Sequence, residues 1–292
     1  MAKTEQERVR PHRNGLFSYL SESEKIVNQT MNGQVNIISI EKGDFTLPDI
    51  ATPVPHEKWI YLLDCCWFDA NRRVFVPRKT SFKIDHQNHL KEVPGPILAR
   101  SKCALVKDKD SLLLMGGYVT ETKILTNRCE KYNLATERSE EFPPMIHKHN
   151  CPSGCLIANN IWVFSEHYIE YLDHLRWINV ALPFGGRLLP FQYVQAINDK
   201  EILVFGGMDG NTKSSEVKVY NTYHRTMTHY GDMLPQGLCN ERSWGPMVID
   251  GSVAALASIQ ASVYPQIGLK FSMNQAVYIF ESSAFLKQII GA

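Results

Sequence analysis

No stretch of the 292 residues comes near the roughly 18 consecutive apolar residues that a membrane-crossing helix needs, so no membrane span is expected. The opening "MAKTEQERVRPHRNG" lacks the apolar core of a secretory signal, and Glu5 and Glu7 argue against a transit peptide despite the arginines around them. Charge of one sign is not in excess either. The formal net charge is +1, whereas a protein that tracks phosphates carries a marked basic surplus, so nucleic acid is not the expected partner. The seven cysteines are an odd number, scattered through a chain large enough to fold unstapled, which reads as reduced thiols and a cytoplasmic location. Catalytic signatures are missing: there is no G-x-S-x-G, no H-E-x-x-H, and "GGMDGNTKS" does not have the spacing of a phosphate-binding loop. The expectation is therefore no catalytic residue and no cofactor.

What remains is an ordinary globular composition, 44% hydrophobic and 21% charged, arranged with an internal repeat. "LLLMGGYVTETKILTNRCEKYN", from Leu112 to Asn133, runs an apolar strand into Gly116-Gly117, crosses a polar loop and ends at Tyr132-Asn133. "ILVFGGMDGNTKSSEVKVYN", from Ile202 to Asn221, repeats that order through Gly206-Gly207 to Tyr220-Asn221. Each copy is preceded by another apolar strand, at Cys103 and Val194. Weaker copies of the strand-turn-strand pattern start at Cys66, Cys155 and Met247, and the five starts have a mean spacing of about 45 residues. A period of that length with four short strands per unit predicts the blades of a β-propeller. The segment "GLFSYLSESEKIVNQTMNGQVNIISIEKGDFTLPD" leaves room for one further unit upstream. The expected architecture is all-β with six blades over residues 15–292, or five if the N-terminal unit is not a full blade, after a flexible tail at 1–14.

The double glycine followed by tyrosine resembles the kelch repeat, whose pattern is apolar residues, Gly-Gly, a variable loop, then Tyr and Trp. Gly116, Gly117, Gly206 and Gly207 take the glycine positions, where a Cβ would obstruct close backbone approach. Tyr132, Tyr171 and Tyr220 take the tyrosine that fills the seam between blades, and Trp177 takes the tryptophan. No unit keeps the full signature, so the chain is similar to a diverged member. The resemblance implies a kelch-type propeller acting as a protein-interaction module: an adaptor, a scaffold or a substrate receptor. The alternative it leaves open is a small-molecule enzyme with its site in the channel mouth.

"HKHNCPSGC" places His147, His149, Cys151 and Cys155 within nine residues, a composition that suggests zinc. Cys155 also occupies the repeat slot of Cys66 and Cys103, where Val194 and Met247 fit as well, so packing is the preferred reading and no metal is expected. Basic residues recur in the segments read as connections between units: Lys58, Arg100, Lys148 with His149, Arg187 and Arg242, with Arg13 as a sixth. Lys58, Arg100, His149, Arg187, Arg242 and Trp244 are the candidate partner-binding set, suited to an acidic segment of a partner protein. The competing reading is that the arginines tie adjacent blades together by hydrogen bonds. The segment from Ser258 to Asn274 is a further loop candidate, with enough apolar area to anchor a partner.

Overall fold

A computed structural model of the chain describes residues 15–20, 24–30, 35–119, 122, 124–182, 187–232, 243–244, 247–249, 252–256 and 277–280. The 1–14 tail, Arg13, Arg242 and the segment from Ser258 to Asn274 lie outside them. The described residues form antiparallel β-sheets and no helix, so none crosses a membrane as a helix.

The strands follow one another in sheets. Sheet I contains β1 (Gly15–Leu20), β2 (Lys25–Thr30) and β3 (Val35–Ser39). Sheet II contains β4 (Ile50–His56), β5 (Trp59–Asp69), β6 (Val74–Pro77), β7 (Thr80–Ile84) and β8 (Leu90–Pro94). After β9 (Arg100–Ser101), sheet III is built from β10 (Ala104–Asp108), β11 (Ser111–Met115), β14 (Cys129–Asn133) and β15 (Arg138–Phe142). Its loop carries the short pair β12 (Tyr118–Val119) and β13 (Ile124–Leu125), and β9 pairs with β12. Sheet IV is β16 (Ser153–Ile157), β17 (Asn160–Phe164), β18 (Ile169–Asp173) and β19 (Arg176–Val180). Sheet V is β20 (Tyr193–Ala196), β21 (Glu201–Phe205), β24 (Glu216–Asn221) and β25 (Thr226–Asp232), with the ribbon β22 (Met208–Asp209) and β23 (Thr212–Lys213) in its loop. β26 (Ser243–Trp244) pairs with β1, and sheet VI is β27 (Met247–Ile249), β28 (Ser252–Leu256) and β29 (Val277–Phe280).

The second strands of sheets III, IV and V are apolar and buried over their last four residues because both faces are covered. In β11, Leu112 and Leu114 pack with Val54, Tyr61 and Leu63 of sheet II, whereas Leu113 and Met115 pack with Ile161 and Val163 of sheet IV. Fourth strands are the opposite: β15 and β25 are largely exposed and correspondingly polar. Contacts run from β1 to β4, β10 to β16, β16 to β20 and β20 to β27, and β28 also touches β1. Buried tyrosines cross the seams between sheets. Tyr132 donates to the Pro94 carbonyl of sheet II at 2.8 Å, and Tyr61 donates back to the Leu134 carbonyl at 2.6 Å. Tyr220 sits against Trp162 and Phe164 of sheet IV, and Trp177 donates its indole N–H to the Pro143 carbonyl at 2.7 Å. Tyr171 does not take the seam position expected of it: Leu172 pairs with Ile161 as Tyr132 does with Leu112 and Tyr220 with Ile202, and Tyr171, one residue earlier and half-buried, stacks on Trp162 of its own sheet at 4.6 Å.

Sheet II departs from the expected phase. Its unit does not begin at Cys66: the first hairpin is β4–β5, closed by the two-residue turn Glu57–Lys58 with His56 opposite Trp59. Pro53 and Pro55, which read as connection residues, stand in β4 at the sheet's edge, where every other N–H has no neighbour to bond and proline is tolerated. β5 pairs with β7 only over Ile60–Leu62, then continues past it to pair with β6 from Cys66 to Asp69. "CWFDANRRVFV" is thus a projecting arm on a loop, not the inner hairpin of a sheet.

Candidate functional site

The antiparallel order puts two kinds of segment at the same end of each sheet: the loop from second to third strand and the connection from the fourth strand into the next sheet. In sheet III they are laced together. The N–H of Gly117 donates to the His149 carbonyl at 3.1 Å, that of Thr126 to the Gly117 carbonyl at 3.0 Å, and that of Met145 to the Asn127 carbonyl at 2.9 Å. The glycine pair is required by this lacing. Gly116 and Gly117 have φ of +67° and +91°, and a Cβ on Gly117 would lie 2.6 Å from the Ser101 carbonyl oxygen. Gly207, at φ +103°, would bring a Cβ within 2.7 Å of that of Leu189.

Beneath the lacing lies a repeated polar node. Glu130, second in β14, accepts the N–H of Ile97 at 2.6 Å and pairs with the Arg100 guanidinium, which also donates to the carbonyls of Gly116 and Arg128. Both side chains are buried. Glu170, in the same place in β18, accepts the N–H groups of Ile146 and His147, each at 2.8 Å. His147 Nδ1 and His149 Nε2 each stand 3.0 Å from its Oε1. Burial pushes the Glu170 carboxyl up, but the hydrogen bonds from His149 and from the two backbone N–H groups outweigh it and hold it below the ordinary range. In sheet V the position carries Lys218, buried and paired with Glu216 at 2.6 Å, so the same pocket is filled with the signs exchanged.

Around His149 the arrangement has the connectivity of a charge relay: Ser165 Oγ is 2.7 Å from Nδ1 and Glu170 lies on the other ring nitrogen. Its setting is wrong for a nucleophile. Ser165 is 3% exposed and His149 1%, so an acyl group cannot reach the hydroxyl. Ser165 stands where Gly116 and Gly206 stand, and its hydroxyl fills the place of their missing side chain. The histidines of "HKHNCPSGC" are both directed at Glu170, with His147 stacked on Tyr168 at 3.8 Å. Cys155 packs with Trp162, Val194 and Ile202. Burial pushes the Cys129 and Cys155 thiols up to about 12 and raises Cys65 and Cys103 well above the usual thiol value, so these sulfurs stay protonated and are poor nucleophiles and ligands.

The candidate partner-binding residues are dispersed by the structure. Arg100 and His149 are buried and engaged within their own sheets, so neither is available to a partner here. Arg187 is exposed and bonded to Glu166 at 2.6 and 2.8 Å, but it stands two positions ahead of the repeat position of Arg100. Lys58 lies in the β4–β5 turn, at the opposite end of the sheets. Trp244 is in β26, opposite Phe17. Reasoning from sequence missed Asp64, which at φ +55° occupies the first glycine position in sheet II. One carboxylate oxygen is out of solvent with no hydrogen-bond partner, and burial raises its pKa from 3.8 to about 7 against the opposing pull of the Lys102 N–H and the Arg100 charge. The available signal was "LLDCC" itself, an apolar strand running into an aspartate as the others run into glycine. At sheet V the same end bears an open polar hollow of about 540 Å³, lined by Asp209, Lys213, Glu216 and Asp232 among others.

Compared with models of known protein families and with curated proteins, the chain matches none.

Proposed function

We propose that the chain is a six-bladed kelch-type β-propeller that binds a segment of a partner protein through the loops and connections at one end of its sheets, as an adaptor, a scaffold or a substrate receptor. Four-stranded antiparallel sheets with apolar second strands, seam tyrosines and wedged glycine pairs support the propeller. So do the pairing of β26 with β1 and the contact of β28 with β1, which are what a ring joined at its two ends requires.

The observation that carries the functional reading is the difference between the two ends. At one, tight turns such as Glu57–Lys58 and Ala158–Asn159 join the strands with little surface to spare. At the other, longer segments are set in a fixed frame by the buried Glu130 and Glu170 nodes, so a partner would meet a surface whose ordering is already complete. The test is capture of partners from a cell extract on the purified chain, repeated with charge reversals at Lys148 and Arg187 on one end and at Lys58 on the other. A stoichiometric protein lost only with the first pair supports the reading. Its retention by both variants, or equal loss from both, overturns it.

A further inference from the structure

From the arm in sheet II and the exposed residues beside it, we infer a single docking track for an acidic segment of a partner protein whose carboxylates are followed by aliphatic side chains. The inference rests on the proposed function and specifies its surface.

The arm is a rigid element. Trp67 is buried against Phe82 and Cys65, the N–H of Arg78 donates to the Cys65 carbonyl at 3.2 Å, and the Arg78 guanidinium lies over the Trp67 ring at 4.6 Å. Its tip is fixed by Asp69, whose carboxylate accepts the N–H groups of Asn71 and Arg72 at 3.0 and 3.1 Å. Arg72, Arg73, Arg78 and Lys79 are all exposed along it. Asp69 is the arm's one carboxylate, and it is engaged in the turn and 3.6 Å from Arg72. A chain of net charge +1 therefore concentrates four cations on one short projection.

The arm leads directly to apolar surface. The Lys79 carbonyl accepts the N–H of Gly95 at 3.1 Å, two residues before Ile97. Ile97, Ile124 and Ile146 are 43%, 52% and 52% exposed, three large aliphatic side chains left out of the core on segments joined to one another. Ile97 is held by Glu130 and Ile146 by Glu170, and the hydrogen bond from Met145 to Asn127 brings the Ile146 segment against the loop that carries Ile124. Arg128 and Lys148, both exposed, border the patch. Leu175 and Tyr223, exposed on the opposite end, sit in separate tight turns instead.

Charge and chemistry select the occupant. Four cations at one end favour carboxylates there, and fixed side chains spare the ordering cost of meeting them. Isoleucines beyond them favour aliphatic contact. A single-stranded nucleic acid would find cations, but among the described residues the large apolar side chains exposed along the track are aliphatic and offer its bases no stacking platform.

The experiment uses a displayed library of random 16-residue peptides selected on the full chain, with binding of the selected peptides measured on two variants: Arg72→Glu with Arg73→Glu, and Ile124→Ser with Ile146→Ser. All four residues are exposed, and unchanged melting temperatures confirm that the variants fold. Selected peptides should carry Asp or Glu followed by Leu, Ile or Val. The charge reversal should weaken them roughly ten-fold in low salt, with the loss shrinking as salt rises. The isoleucine variant should weaken them with little salt dependence. Peptides lost on reversal of Lys148 and Arg187 but indifferent to the arm would overturn this track and leave the proposed function standing. Absence of any selected peptide and of any captured protein would overturn both. Tighter binding of a 20-nucleotide single strand than of any peptide would overturn the track in favour of nucleic acid.

Discussion

Sheets III and IV answer one demand with different chemistry. Each must fix the connection that arrives from the sheet before it, and each does so with a glutamate at the same place in its third strand. In sheet III the partner is Arg100, charged at every pH the fold survives. In sheet IV it is the imidazole of His149, helped by His147 and Ser165. The lesson is that these two sheets share the position of a buried carboxylate while differing in its partner. Sheet V departs from both by placing Lys218 there and recruiting Glu216 as its partner.

The sharpest way to break the comparison is to remove the charge from each glutamate. Glu130→Gln leaves a buried guanidinium uncompensated and should cost about 3–5 kcal/mol in urea unfolding at neutral pH. Glu170→Gln should cost less, about 1–3 kcal/mol, because the Gln carbonyl can still accept a hydrogen bond from the backbone N–H groups and the ring around it. Glu170 also carries a signature in acid. The native Glu170 carboxyl titrates below its ordinary value of about 4.5, so its stabilisation is present above that pH and is lost as pH falls through the lower, folded value. Glu170→Gln should therefore flatten the acid limb of the stability curve. Equal costs for both substitutions would remove the distinction between the nodes.

Effects between those two are expected at the glycine positions that sheets III and V share. Gly117→Val and Gly207→Val each add a side chain at positive φ against backbone or a Cβ that cannot withdraw, and should lower stability by roughly 2–4 kcal/mol. An unchanged melting temperature would show that the connection moves aside.

The smallest effect belongs to Asp64, which takes the first glycine position, one residue earlier, in sheet II. Its folded pKa of about 7 lies above the ordinary 3.8, so the native state is increasingly penalised as pH rises between those values, and fully penalised above the upper one. Asp64→Asn should raise stability by about 1–2 kcal/mol at pH 8 and by almost nothing at pH 4, since Asn also tolerates the left-handed backbone. A gain independent of pH would show that the carboxyl is not the source.

Sheets III and V were legible because an apolar run, two glycines and a tyrosine each have one physical reason to recur in that order, and sheet IV followed from the spacing between them. Sheet II was misphased because its glycines are replaced by Asp64 and Cys65, and because Pro53 and Pro55 read as loop when an edge strand can hold them. The site was less legible than the fold. Arg100 and His149 look like surface residues in sequence, and what buries them is a glutamate some 20 to 30 residues further along, which the repeat marks only as "CEKYN" and "IEYLD". The cations of the arm were in plain view, but they carried no message until β5 was seen to outrun β7.

The pairing of Phe17 with Trp244 sets a timetable for synthesis. Sheet I cannot gain its inner neighbour β26 until more than two hundred further residues have been made, which at ribosomal rates of about 5–20 residues per second means a wait on the order of tens of seconds. Through that interval the open edge of β1 is a template for any passing strand, and joining it afterwards is the slowest kind of contact to form because the chain between is so long. Newly made protein is thus most vulnerable to aggregation before its last strands arrive, and a chaperone that shields β1 during translation would act on yield far more than on the stability of the finished fold.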